Sequence, residues 1–428
     1  MRVAEAGRRT RKMALTTYAM NVGGLEMFIL TLAAGLVREG HDVDIIATDD
    51  RGEWFSRIGE VGAQAHFLEG LAGTSRARHA RRVGSFLRAR RYAVVINNGS
   101  WFVQAALGML DSSTVALSVV HNSFASIMST ACSNERACNA FIAPSQGTYE
   151  GARRLLSDPK KLHLIPHGVA VPDSLPERSA SSDELRVVYC GRLDHRQKGV
   201  LLLPDIIKAL VDCGVRARCE VVGGGPDLER LTRLIAQRDL TPLFKLCGEL
   251  EHSAALERVR QAAVFLMPSF FEGLPLSLLE AMANGCAPVA SLLPGITDWV
   301  VQHDVSGFLV PPGDVEGFRL ALVRLGQDRA LLDRMRLAAW ETARERFRAQ
   351  RMIDDYVALS RSLAVQPLSR HHIPRLAPDL VEVKDRLPNP WRRALGQCRR
   401  LVRQRFSSRA ESDSAGPAAA ESVETIGR

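Results

Sequence analysis

Two doubly wound, Rossmann-like α/β domains with a cleft between them, followed by a basic C-terminal tail, are the fold this sequence predicts. Three observations carry the prediction. Short β-branched runs alternate with longer helical patterns, which implies parallel sheets covered by helices on both faces. A break with Pro166, Pro172, Pro176 and the run Ser179 to Ser182 divides that alternation into two parts of similar size. The 428 residues, 46% apolar and 24% charged, suit two or three soluble globular domains.

In chain order, Ile45 to Ala47, Val94 to Ile96, Val115 to Val120, Phe141 to Ala143 and Leu164-Ile165 read as strands of the first domain (1–166). The linker follows (167–184). Val187 to Tyr189, Cys219 to Val222, Phe244 to Leu246, Val264 to Met267, Pro288 to Ala290 and Phe308 to Val310 read as strands of the second (185–345). Helical patterns such as Leu25 to Glu39 and Val200 to Asp212 lie between them. A final helix (346–362), through Met352, Tyr356 and Leu359, is expected to pack back on the first domain. The remainder (366–428) reads as a tail: a proline-rich stretch, a basic amphipathic stretch from Trp391 to Arg409, and an Ala/Ser/Glu-rich end with the composition of a disordered segment.

Several function classes are disfavoured. No apolar run approaches the roughly 18 residues of a membrane span, and no secretory leader is legible behind the basic N-terminus, so a cytoplasmic location is expected. The eight cysteines show no zinc spacing and read as free, reduced thiols; no metal site is expected. The net charge is +9, and from residue 367 onward 12 Lys or Arg stand against 7 Asp or Glu. No zinc-finger, RRM or KH signature accompanies that excess, so no nucleic-acid partner is expected. Two basic segments instead suit an anionic membrane surface on the inner face of the cytoplasmic membrane, or, for the second, docking to a protein partner. One holds Arg76, Arg78, Arg81, Arg82, Arg88, Arg90 and Arg91; the other carries Trp391, Leu395, Cys398, Val402 and Phe406 among seven arginines. The plainer reading of the first is a solvated surface helix packed by its apolar stripe.

The chemistry concentrates at predicted strand ends. Val187 to Leu193 is a strand and loop leading through Gly191 and Arg192 to Lys198-Gly199 and a helix; a guanidinium fork and an ammonium there suit phosphate. Gly223-Gly224-Gly225-Pro226 ends the next strand, and Asn21-Val22-Gly23-Gly24 precedes the first helix; glycine in both lets the backbone approach a ligand. His121 follows a strand and precedes Asn122-Ser123. Phe271 to Gly285 sets Glu272 and Glu280 eight positions apart around a Gly273-Leu274-Pro275 turn at a helix start. Its carboxylates can accept hydrogen bonds from hydroxyls, while the helix amides can hold phosphate. For Glu280 the competing reading is a capping box, Ser277-x-x-Glu280.

Taken in order, Gly23-Gly24, His121, G-R-L…K-G at 191–199 and E-G-L-P-L-S-L-L-E-A-M-A-N-G at 272–285 resemble the large retaining GT-B glycosyltransferase family 4. Ile165 to Val169, Gly295 to Asp298 and Ser306 to Asp314 add to the resemblance, which covers about residues 13–360. At 167, where the family commonly has Asn, this chain has His. The resemblance implies a nucleotide diphosphate-sugar donor and a glycan or lipid-linked acceptor in cell-envelope or extracellular polysaccharide synthesis, with no cofactor required. It implies roles as well. Arg192 and Lys198 would hold the diphosphate, beside Gly191 and Gly225. Glu280 would take the ribose, and Glu272 the transferred sugar with the backbone of Gly273 and Leu274. Gly23 and Gly24 would approach from the first domain, and His121 would sit by the reacting centre. Retention would follow from front-face attack assisted by the leaving phosphate. A non-catalytic sugar-nucleotide-binding subunit and a nicotinamide oxidoreductase are the alternatives; the absence of G-x-G-x-x-G with a ribose-binding acid weighs against the latter.

Overall fold

The computed structural model describes residues 10–70, 74–177, 184–365, 367–370, 372–377 and 380. The first sheet comprises β1 (Lys12–Thr17), β2 (Asp42–Ala47), β3 (Gln64–Phe67), β4 (Val94–Asn98), β5 (Val115–Val119), β6 (Ala140–Ala143) and β7 (Leu162–Leu164) in the order β3-β2-β1-β4-β5-β6-β7. The second comprises β8 (Leu185–Cys190), β9 (Ala217–Val222), β10 (Phe244–Gly248), β11 (Val264–Met267), β12 (Ala287–Ser291) and β13 (Phe308–Val310) in the order β10-β9-β8-β11-β12-β13. Every ladder is parallel, so all strand carboxyl ends of one sheet face one way, and the order reverses beside β1 and β8. Ligands of such sheets bind in the crevice at that reversal.

The two-sheet architecture is the one expected. Two strands were not legible. β1 starts on Lys12 at the end of a basic stretch and has no β-branched residue before Thr16. β3 is a four-residue edge strand whose first two residues are exposed, so neither period nor composition marks it.

The helix Gly24–Arg38 lays Phe28, Ile29, Leu32, Ala33 and Leu36 into the first core. The last helix, Ala349–Ala364, runs against it, burying Tyr356 together with Met352 and Ile353, the latter two worth about 1.5–3 kcal/mol each of transfer free energy. Gly35 permits the contact: a Cβ there would stand 2.0 Å from Cδ1 of Ile353. The chain crosses between domains twice, side by side. Val169 donates to Phe347 O at 2.8 Å, and Ala349 returns a bond to Val169 O at 2.9 Å.

Part of the expected tail is structured. Residues 367–370 and 372–377 lie on the first domain, where Arg370, 5% exposed, donates to the carbonyls of Asp111, Thr114 and Ala137 and to Asn139 Oδ1. Ala377 donates to Ala105 O at 2.8 Å. A buried guanidinium with its donors met by carbonyls is a structural staple; a proline-rich run with a single Arg gives no sign of it. The amphipathic stretch Trp391 to Arg409 lies outside the described residues.

The basic helix Arg76–Ala89 turns Ala77, Ala80, Val83 and Leu87 into the core and leaves Arg78, Arg81 and Arg88 outside. Its apolar stripe is spent on the domain, and Arg88 pairs with Asp111 at 3.1 Å. This is the packed surface helix rather than a helix with a free apolar face. No helix among the described residues is long and apolar enough to cross a membrane.

Candidate active site

The site forms where the loops after β1, β4 and β5 meet those after β8, β9, β10 and β11. From the second domain, Lys198 ends the short helix His195–Lys198. Gly199 then turns into the left-handed region (φ 65) with a would-be Cβ only 2.0 Å from Pro268 O. Only glycine fits there, and the turn fixes Lys198 against the loop that carries Glu272. Lys198 Nζ lies 2.7 and 2.9 Å from the two carboxylate oxygens of Glu272, whose side chain is 5% exposed. The expected loop with two fixed cations therefore contains one. Arg192 is exposed and makes no side-chain bond with the described residues, while its carbonyl accepts from the Tyr189 hydroxyl at 2.8 Å.

Glu280 does not close a capping box. The helix Leu276–Ala283 begins one residue before Ser277, its N-cap is Pro275, and no side chain caps it. Glu280 instead accepts from His252 Nε2 at 2.7 Å, with both side chains partly exposed. His252 opens the helix after β10 and escaped the sequence reading because nothing local marks it.

The glycine run after β9 interlocks with the β8 loop. Gly223 and Gly225 have positive φ, and would-be Cβ atoms stand 2.1 Å from Gly191 O and 2.6 Å from Leu193 O respectively. Glycine at 223 and 225 is thus required by loop-on-loop packing.

From the first domain, Gly23 is the N-cap of the helix Gly24–Arg38 and makes no side-chain cap. Glu26, in the first turn, supplies an anion to that helix end. Burial pushes its carboxyl above the usual range, and bonds from the amides of Glu26 and Asn21 oppose the shift. Gly24 approaches Leu276 across the cleft, with a would-be Cβ 3.7 Å from its Cδ1. His121 stands against the loop of Glu272: its carbonyl would be 1.9 Å from a Cβ on Gly273. Ser123 and Ser145 hydroxyls donate to the carbonyls of Glu272 and Gly273, both at 2.9 Å, and Gly147 donates to Gly295 O at 2.7 Å. Leu274 is buried beside them. The His121 ring is engaged on both nitrogens, by Asn98 Oδ1 at 3.1 Å and His167 Nε2 at 3.3 Å. Burial pulls its pKa down to about 3 and holds His167 well below its ordinary value as well.

The fold therefore brings His121, Gly24, Lys198, Glu272, Gly273, Leu274 and Glu280 to one cleft. Arg192 lies exposed on the loop after β8, with no side-chain partner among the described residues. Glu26, Asn98, Ser123, Ser145 and His252 join them unforeseen. The described cysteines are all free, and burial pushes the thiols of Cys132, Cys138 and Cys190 up to about 12. As neutral thiols they pack as small hydrophobes.

Two parallel sheets joined by two adjacent crossings, with charged and polar loops facing each other across the cleft, define the GT-B architecture. Residues 22–171 match the family described as Glycosyltransferase Family 4, and residues 184–328 match Glycosyl transferases group 1. Fold and domain matches together give this chain the GT-B architecture, with each half matching a glycosyltransferase domain family. It is 34% identical over 164 residues to the amylovoran biosynthesis glycosyltransferase AmsK of Erwinia amylovora, covering 37% of this chain and 40% of that one. It is 32% identical over 154 residues to the putative colanic acid biosynthesis glycosyltransferase WcaL of Escherichia coli, covering 35% and 37%. The matches thus span about two fifths of these curated relatives. Among solved structures, Anabaena HepE in complex with UDP and glucose superposes with a TM-score of 0.68 at 16% identity, covering 82% of this chain and 100% of that one. The pneumococcal O-GlcNAc transferase GtfA with UDP and GlcNAc gives 0.69 at 12% identity, covering 83% and 99%.

Proposed function

We propose that this chain transfers a sugar, with retention of configuration, from a nucleotide diphosphate-sugar to a glycan or lipid-linked acceptor in envelope or extracellular polysaccharide synthesis. The observation that carries this reading is the Lys198–Glu272 pair beside Glu280. A partly exposed ammonium held by a buried carboxylate can transfer its bonds to a diphosphate, which frees Glu272 to accept from sugar hydroxyls. Glu280, tied to His252 by one oxygen, keeps its other oxygen to accept from a ribose hydroxyl. Arg192, exposed at the same mouth, adds the bidentate cation that a leaving diphosphate needs. In this reading the cations meet the developing charge, and no metal or other cofactor is required. With Lys198 on the diphosphate and Glu272 accepting from sugar hydroxyls, this reading assigns no carboxylate as a nucleophile, which favours front-face attack over double displacement.

The relatives named for amylovoran and colanic acid biosynthesis support the polysaccharide setting, and the UDP in the structural neighbours makes UDP the first nucleotide to try. The site opens on the cytoplasmic side of the membrane in this reading, and the exposed arginines of Arg76–Ala89 and the basic composition of 391–409 suit anionic lipid. A thermal-shift panel with UDP, GDP, ADP and NAD tests the donor class, because a ligand that binds only the folded state raises Tm by mass action. One nucleoside diphosphate is expected to raise Tm; a shift with NAD alone would replace this reading with an oxidoreductase. The anomeric configuration of the product, read by NMR, tests retention.

A further inference from the structure

Asn98 at the end of β4, His121 after β5 and His167 at the start of the linker form a polar chain behind the cleft. Asn98 Nδ2 donates to Ile96 O at 3.2 Å, which fixes the side-chain amide so that Oδ1 is the atom 3.1 Å from His121 Nε2. An amide oxygen only accepts, so His121 Nε2 carries its proton. The Nδ1 lone pair then faces His167 Nε2 at 3.3 Å, which must donate. That uses the single proton of a neutral His167. Its Nδ1 is left buried with no partner among the described residues, which disfavours a second proton there. Phe28 packs on both rings, with centroids at 5.1 and 4.3 Å, and Tyr356 stands 6.1 Å beyond Phe28 with its hydroxyl also buried and without a partner among the described residues. Among the described residues no charged group bonds either imidazole.

We propose that Asn98 and His167 are positioning residues that lock His121 as the neutral Nε2–H tautomer, so that its ring holds the Glu272–Leu274 loop in place and carries no proton during turnover. The link to the loop is steric. The His121 carbonyl abuts Gly273, and Ser123, two residues on, holds Glu272 O. A ring bonded at both nitrogens fixes that peptide, and a displacement of about 1 Å at such a contact costs rate rather than affinity. Only the kinetic part of this inference rests on the transfer reading above.

The test is ¹⁵N NMR of the histidine rings in the full chain without donor, with His121 assigned from its loss in His121→Gln. The expected result is a pyrrole-type Nε2 and a pyridine-type Nδ1 that do not change between pH 8 and pH 5. Asn98→Asp puts a carboxylate on Nε2–H and is expected to draw a second proton onto Nδ1, giving imidazolium shifts in that same range. His167→Asn keeps an N–H donor and is expected to keep the wild-type shifts, while His167→Leu loses them. In transfer assays His167→Leu is expected to lower kcat about tenfold with donor KM within about twofold, and His167→Asn to recover most of that loss. A wild-type Nδ1–H tautomer, a wild-type ring that titrates between pH 5 and pH 8, or equal loss in both His167 variants would overturn the proposal. The expected shifts in a protein that transfers no sugar would leave it standing and sink the transfer reading instead.

Discussion

The two walls of the cleft hold their polar groups in opposite ways. On the second domain the two carboxylates are each held by a basic side chain, Glu272 by Lys198 and Glu280 by His252. On the first domain the polar side chains are neutral or self-satisfied: Asn98, His121 and His167 bond in series, Ser123 and Ser145 hold carbonyls, and Glu26 caps its own helix. A charged pair can exchange one partner for a ligand of the same sign, so the second wall is built to select an anion. A neutral network gives up nothing to a ligand, so the first wall is built to hold shape. The comparison predicts that substitutions on the second wall remove binding, whereas those on the first alter stability or rate.

The strongest break of that contrast is at Lys198. Lys198→Ala is expected to weaken nucleoside diphosphate binding about 100-fold, and to cost about 3 kcal/mol of stability because Glu272 is left buried and unpaired. Calorimetric titration and urea unfolding read the two effects; Lys198→Ala with Glu272→Gln should recover stability without recovering affinity. Arg370→Ala probes the first domain far from the cleft. It takes a donor from four acceptors, of which Asp111 O and Asn139 Oδ1 keep the amides of Thr114 and Ala116 while Thr114 O and Ala137 O lose theirs, and is expected to cost about 3 kcal/mol in urea unfolding while leaving nucleotide affinity within about twofold.

A pH series sharpens the neutral side. The folded pKa of His121 is depressed from 6.5 to about 3, so the unfolded chain takes up the proton first as pH falls. Its stabilising contribution is whole above about pH 6.5 and is lost progressively from there down to about 3. Between pH 7 and pH 5 the loss is about 2 kcal/mol for this group, with His167 adding in the same direction. His121→Gln should flatten the dependence, as read by urea unfolding at the two pH values. The smallest effects concern the ribose side. Glu280→Ala is expected to weaken nucleoside diphosphate binding about tenfold, and His252→Ala about threefold, because His252 only orients the carboxylate.

Much of this was legible in the chain. Eleven of the thirteen strands stand where β-branched runs placed them, since central parallel strands are buried on both faces and read as apolar runs. Both glutamates of the 272–280 segment reach the cleft because a turn and a helix start fix their separation locally. What the sequence hid is tertiary. Arg192 and Lys198 look alike in one loop, yet only Lys198 meets a carboxylate, through a contact with a residue 74 positions away. His252 is set beside Glu280 by the order of β10, β9 and β8, which no window of neighbouring residues reveals. Ser277-x-x-Glu280 fits a capping pattern, but the helix starts at Leu276 with Pro275 as its N-cap, so Ser277 lies inside the helix and Glu280 meets a different partner. Arg370 lies in a stretch whose prolines read as tail, and its four acceptors come from loops more than 230 positions away.

The central claim, that the second wall selects a diphosphate through Lys198, is tested most directly by calorimetric titration of UDP and UMP into wild type and Lys198→Ala. The account predicts that wild type prefers UDP by a factor of ten or more, at about 1.4 kcal/mol per tenfold, and that the preference disappears in Lys198→Ala. Equal affinity for UDP and UMP in wild type, or a UDP preference undiminished in the variant, would contradict it.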